Sequence, residues 1–429
     1  MLSSFFIRNF RSILELRLDF SFAEGKAPNG YKSLALMPFL EAQDGRRLVP
    51  CIGFFGANAS GKSNILKALG ALKHLAKLGS ELADVFEPNL LNPKFQETTL
   101  EAGFFLGPHH FTYRITYSAA SITEEVLQKD GEPIFAISRL QPKFAPQLFS
   151  AAFPKEKLED ILRVECSDGE GRQAKSFLHR MGLGYPGLHQ DLHRPFTYFE
   201  SGLIFFPNTR VLPLSLSVDV LASAEGGDRS AALREITDVI RRLDIDIAAI
   251  GMTETELEPE DPDQRHVSVR RDQQTGNRLA INISSTHPDA AGNPKQLNFI
   301  KHESAGTQRL AGLVGYVLFA LKTGGGLLVD ELECSLHPLL MREIVLLFKN
   351  PRYNPKGAQL IFTTHNTDIL DDSILRLSEI ALVRKTTANG TLVRRLVDAR
   401  NEGEDIRNVT NFRRQYLAGF YAGVPHPSL

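Results

Sequence analysis

An α/β fold with a buried core sheet is what this 429-residue sequence predicts, and three observations predict it. A buried-strand run, VPCIGFFG, passes directly into a glycine-rich loop and then into an amphipathic helix. Two more apolar strands, GLLVD and QLIFTT, each end on residues that carry chemistry. The chain opens with alternating apolar residues in FFIRNF and ILELRLDF, which read as two short strands joined at an Arg11-Ser12 turn.

The composition is that of a folded globular protein: 42% apolar, 23% charged, with 49 Lys+Arg against 50 Asp+Glu. At about 100–200 residues per domain the length allows two or three units, or one large domain with an insertion. A net charge of −1 argues against a protein that coats nucleic acid electrostatically, though it leaves room for a local basic groove. Cys51, Cys166 and Cys334 lie far apart without metal-ligand spacing, as expected of a reducing compartment. The N-terminus lacks the apolar core of a signal peptide, and no apolar run reaches membrane-spanning length, so a cytoplasmic location without membrane contact is expected.

Along the chain, a polar stretch runs from Glu24 to Arg47, ahead of the VPCIGFFG strand. Asn64 to Leu78 reads as a helix with Ile65, Leu69, Leu72 and Leu75 on one stripe. Strand character recurs at 101–106, 111–117 and 133–137. From 138 to 202 prolines 142, 146 and 154 break long elements, 155–163 and 172–181 look helical, and GLGYPGLHQDLHRP reads as irregular. GLIFFP at 202–207 resumes strand character, and Ala231 to Leu243 is a helix. ETELEPEDPD at 254–263 reads as an exposed acidic loop, and HVSVRR with RLAINIS as a hairpin round QTGN.

The loop itself is GANASGKSN, residues 56–64: glycine, four residues, glycine, lysine and a hydroxyl. That spacing lets backbone amides cradle phosphates while the lysine reaches the terminal ones. Kinases, GTPases, recombination motors and transporter-type ATPases all carry it, so the downstream residues have to decide. In ESAGTQRLAGLVGYVLFAL, residues 303–321, the part after Thr307 is apolar nearly all round and predicts a buried helix, with Ser304 and Gly306 at its anion-attracting N-terminus. GLLVD puts Asp330 and Glu331 at the carboxyl end of a buried strand, where open parallel sheets bind ligands. Asp330 is suited to hold Mg²⁺ through water and Glu331 to polarise an attacking water. QLIFTT ends at His365, an imidazole placed to meet a γ-phosphate or that water.

In this order the motifs resemble those of ABC-type ATPases of the SMC-like branch: GANASGKS the Walker A loop, LLVDE the Walker B strand, ESAGTQ the signature, SLHP the D-loop and IFTTHN the switch histidine. More narrowly, the chain is similar to bacterial ABC-like AAA-family ATPases of phage defence, including the OLD-nuclease ATPase, retron- and Septu-type ATPases and RloA-like proteins. FFIRNFRSI and RRQYLAGFYAGVP carry that narrower likeness at the two ends. The signature departs from the common form at Ala305 and Thr307 while keeping Ser304, Gly306 and Gln308.

The resemblance implies an ABC-type P-loop NTPase head with a mixed core sheet, an N-terminal antiparallel β subdomain and a helical insertion. Residues 1–137 would form one half of the head, 138–202 an insertion lobe, 203–398 the other half and 399–429 a tail. It implies ATP and Mg²⁺, with Gly56, Asn58, Ala59, Ser60, Gly61, Lys62 and Asn64 round the phosphates. Ser63 would ligate the metal directly, Asp330 would hold it through water, and Gln96 stands as a candidate for the Q-loop glutamine. Glu331 and His365 would be the catalytic pair. Ser304, Gly306 and Gln308 would reach the nucleotide of a second copy, so a homodimer or higher homo-oligomer is implied.

The stretch after His365 is expected to be too short for an appended nuclease, which points to a separately encoded effector. An SMC-like role in DNA repair or chromosome maintenance is the alternative, and a transporter subunit fits less well. Arginine pairs at 241–242, 270–271, 394–395 and 413–414 could line a nucleic-acid groove, although such pairs are commonly solvated or ion-paired. His189 and His193 share a four-residue spacing but have no evident third metal ligand.

Overall fold

The computed structural model describes residues 1–22, 47–91, 93–185, 187–206, 214–224, 226–243, 246–256, 268–271, 278–371, 373–401 and 412–418. Most of the 24–47 stretch, Pro207, the acidic loop from residue 257 onward, QTGN and the end of the C-terminal run lie outside these residues. Among the described residues the fold is α/β with a large mixed sheet of 13 strands.

Its parallel part is ordered Ile380–Thr386, Cys51–Phe55, Gln359–Thr364, Gly326–Val329 and Leu203–Phe206. These segments are short apolar runs, as a sheet covered on both faces requires. Alternate side chains point into two cores. Ile52, Phe54, Leu328 and Ile361 join the core shared with helix Lys62–Leu78. Cys51, Phe55, Leu327 and Phe362 join the core shared with helices Ala305–Thr323 and Pro338–Lys349. The expected stripe Ile65, Leu69, Leu72 and Leu75 is buried to 2% exposure or less. At about 1.5–3 kcal/mol for each such side chain, that face holds the loop's helix to the sheet.

The sheet continues as an antiparallel wing. Gly390–Arg395 pairs with Ile380–Thr386, then come Ile13–Asp19, Leu2–Phe10, Thr98–Leu106, His109–Tyr117, Ile122–Lys129, Glu132–Ser138 and Gln141–Phe144. Two of these, Ile122–Lys129 and Gln141–Phe144, were not expected from the pattern. ITEEVLQK hides its strand nature because Glu125 is fully buried. Its carboxylate accepts bonds from Tyr113, Gln173, Ser176 and the amides of Phe177 and Leu178. Those amides open the helix Phe177–Gly184, so the helix starts later than the 172–181 reading, at an N-cap Ser176.

The GLGYPGLHQDLHRP stretch is not irregular throughout, because Gln190–Thr197 is a helix that contains Pro195 and runs on into a π turn at Tyr198–Gly202. His189 caps it by accepting from the Asp191 amide at 3.2 Å, and Leu192 and Phe196 bury their side chains. Among the described residues no group of three or more His, Cys, Asp or Glu side chains is placed to hold a metal ion. A second sheet, Ala249–Glu256, Arg278–Pro288 and Ser268–Arg271, with Pro294–Asn298 on the middle strand, includes the predicted hairpin. It is pinned to the body where Ser285 Oγ and His287 Nε2 both donate to the Glu303 carboxylate, at 2.5 and 2.6 Å. Among the described residues no helix is long and apolar enough to cross a membrane.

Candidate nucleotide site

Strand Cys51–Phe55 ends in the loop at the carboxyl edge of the parallel strands, the edge at which Asp330 and His365 also emerge. Gly56 passes so close beneath the Val383 carbonyl that a Cβ would sit 2.2 Å from its oxygen. Gly61 has φ 102°, and a Cβ there would meet Thr391 Oγ1 at 2.0 Å. Each of these positions therefore demands glycine, one for space and one for backbone conformation. Asn58 and Ala59 stand exposed at the tip, while Ser60 is buried with its Oγ lacking a partner among the described residues.

The loop is braced from below. Asn64 Nδ2 donates to Ser12 Oγ at 2.7 Å, Ser12 and Thr391 share a 2.7 Å hydroxyl bond, and Thr391 donates to the Ser60 carbonyl at 3.0 Å. The turn of the first strand pair and the turn before Gly390–Arg395 thus hold the loop's shape.

Lys62 begins the following helix and is 5% exposed. Its ammonium donates to the Gly56 and Ala57 carbonyls at 2.8 and 2.9 Å and lies 3.3 Å from His365 Nδ1. Burial pushes its pKa down from 10.5 to about 8, opposed by the negative charges of Glu333, Asp330 and Glu331. One residue on, Ser63 Oγ donates to Asp330 Oδ1 at 2.9 Å.

Thr363, to which the sequence pattern assigned no role, organises the acids. Its hydroxyl donates to Asp330 Oδ1 at 2.5 Å and accepts the Glu331 amide at 2.8 Å. Glu331 has φ 51°, a left-handed conformation that a glutamate adopts only when its surroundings hold it there. The other anchor is Arg309, which is 1% exposed and donates to the Glu331 carbonyl at 3.0 Å, with its guanidinium over the Phe206 ring. The available signal for Thr363 was a hydroxyl near the end of a fully buried strand, two residues before His365. For Arg309 the signal was a cation near the start of a helix whose following residues are apolar nearly all round up to Lys322.

The predicted residues fall into two groups. Residues 56–64, Asp330, Glu331 and His365 come together. Ser304, Gly306 and Gln308 do not join them, since no hydrogen bond among the described residues links them to the loop. Ser304 is the exposed N-cap of helix Ala305–Thr323, accepting from the Thr307 amide at 3.1 Å. Gly306 packs on the Ser335 carbonyl, and Gln308 donates to the carbonyls of Ile300 and Glu303, at 3.0 and 2.9 Å. Gln96 is exposed in the loop before strand Thr98–Leu106, and no hydrogen bond among the described residues ties it to Ser63 or Asp330. Of the arginine pairs, Arg395 binds Asp19 and Asp398, Arg413 binds Asp368 at 2.8 Å, and Arg241 and Arg242 are exposed. The side chains of Arg270 and Arg271 lie outside the described residues.

The donor set fits a triphosphate with Mg²⁺. A glycine-walled cradle, a buried lysine and a serine hydroxyl bonded to a carboxylate are the groups that such a ligand needs. Loop, helix and strand ends together make this a phosphate-loop α/β fold. Residues 203–371, which hold the acid and histidine strands, match the family described as "AAA domain, putative AbiEii toxin, Type IV TA system". No curated protein matches the sequence. Among solved structures, the SMC head domain from Thermotoga maritima is similar with a TM-score of 0.41 and 13% identity, covering 92% of this chain and 98% of that one. The Smc head bound to the C-winged helix domain of ScpA gives 0.38 and 12%, covering 93% and 99%. The Smc head with coiled coil and joint derived from Pyrococcus yayanosii gives 0.39 and 10%, covering 94% and 99%.

Proposed function

We propose that this chain is an ATPase that works as a dimer and controls a separately encoded effector in anti-phage defence. The observation that carries the ATPase reading is the meeting of Lys62 and His365, 303 residues apart, beside Ser63, Asp330 and the strained Glu331. In this reading the loop amides and Lys62 would hold the phosphate chain, and Ser63 with Asp330 would hold Mg²⁺, which would supply charge neutralisation when bound. Glu331 accepts the proton of the attacking water, and His365 meets the γ-phosphate. A dimer is supported by the outlying group: Ser304 offers an exposed helix start that its own loop does not use. Facing a second copy, it would complete that copy's pocket. The description of the family that residues 203–371 match, "AAA domain, putative AbiEii toxin, Type IV TA system", is what favours a defence setting over transport in this reading.

Phosphate release from ATP, measured across protein concentrations with and without duplex DNA, tests this reading. Specific activity is expected to fall on dilution and to be unchanged by DNA. Constant specific activity would contradict the dimer. Strong stimulation by DNA that collapses with salt would transfer the protein to the repair class.

A further inference from the structure

We propose that Glu333 is a positioning residue of this site: it tethers the turn carrying Asp330 and Glu331 to the backbone of His365. The inference rests on the ATPase reading above and deepens it. Glu333 stands two residues past Glu331, in the same turn. Its Oε1 accepts the His365 amide at 2.5 Å, and its Oε2 is buried without a partner among the described residues. A bond from an amide to an ionised carboxylate is among the stronger hydrogen bonds available to a backbone. His365 is exposed and has left its strand, so this bond fixes where the imbidazole-bearing residue begins its loop.

The turn is also held by backbone bonds, one to the neighbouring strand and two within itself. Leu332 donates to the Thr363 carbonyl at 3.0 Å, Cys334 to that of Glu331 at 2.9 Å and Leu336 to that of Glu333 at 2.9 Å. Ser335 follows with φ 58°, and its carbonyl is the surface on which Gly306 packs. A continuous path therefore runs from the start of helix Ala305–Thr323, through Ser335 and Glu333, to His365 and Lys62. Movement of the Ser304 end against a second copy would reach the histidine through the Glu333 carboxylate. The carboxylate also faces Lys62 electrostatically, ahead of Asp330 and Glu331. A tether and a charge are thus two separable roles, and the tether is the one proposed.

Three variants of the full chain separate them by steady-state phosphate release and ATP KM. Glu333→Gln keeps the acceptor oxygen and loses the charge. Glu333→Asp keeps the charge but is one methylene too short to reach the amide. Glu333→Ala loses both. We expect Glu333→Asp and Glu333→Ala to lower kcat by about 10–100-fold with KM changed less than about threefold, because a displaced catalytic group costs turnover more than binding. Glu333→Gln is expected to keep most of the turnover. Full activity in Glu333→Asp, or Glu333→Gln as impaired as Glu333→Ala, would overturn the tether. If the parental protein releases no phosphate, the ATPase reading is what fails. Amide exchange then decides the tether: the segment around His365 exchanges faster in Glu333→Asp than in the parent if it exists, and equally fast if it does not.

Discussion

Replacing Glu331 with glutamine is expected to slow ATP turnover by about 10²–10⁴-fold, the range for loss of a general base, while ATP binding persists. Glutamine has the same shape and cannot accept the proton. The backbone that aims this side chain does not depend on its charge. The amide is held by Thr363 Oγ1 at 2.8 Å and the carbonyl by Arg309 at 3.0 Å, which together keep φ at 51°. In the proposed reading the loop and Lys62, not Glu331, would grip the triphosphate, so KM should hold or fall as one negative charge leaves the neighbourhood. Single-turnover phosphate release and equilibrium ATP binding on the same preparation check both halves. Turnover at the parental rate would remove Glu331 from its assigned role.

ATP affinity is expected to weaken by about tenfold per pH unit above about pH 8, the slope of one proton taken up on binding. The cause is Lys62, whose ammonium is held down at about 8 by burial although Glu333, Asp330 and Glu331 pull the other way. Above that pH the empty site holds a neutral amine, which must regain its proton before it can pair with phosphate. The effect on stability runs in the opposite direction. Between about 8 and the ordinary 10.5 the unfolded chain holds the Lys62 proton more firmly than the folded chain. Its burial therefore costs most below pH 8, and that cost is relieved as pH rises to 10.5. Falling affinity with unfalling thermal stability across that window separates a local titration from loss of fold. Calorimetry in buffers of different ionisation enthalpy reads the proton directly. In Lys62→Ala most of the affinity and all of this slope should vanish together.

The phosphate loop and the three strand ends were legible because each is a local pattern. An apolar run short enough to be a buried strand stops at a residue type with a definite chemistry. The stripe of helix Lys62–Leu78 was legible for the same reason. What escaped were side chains whose environment is made by distant segments. Glu125 reads as a polar residue in a polar stretch until Tyr113, Gln173 and the helix at Phe177 supply its donors. Thr363 and Glu333 are ordinary residues until the fold brings Asp330 and His365 beside them. The stretch GLGYPGLHQDLHRP reads as irregular, and its Pro195 indeed removes a helical bond. The helix around it survives because its cap and its buried Leu192 and Phe196 outweigh that loss.

The composite pocket is tested most directly by mixing two inactive variants, Lys62→Ala and Ser304→Arg, and measuring ATP hydrolysis against each alone. In a mixed dimer the Ser304→Arg copy still offers an intact loop, and the Lys62→Ala copy still offers an intact helix start. One working site is therefore restored, and the mixture should hydrolyse ATP where neither variant does. No recovery at any ratio, or a Ser304→Arg variant as active alone as the parent, would contradict the account.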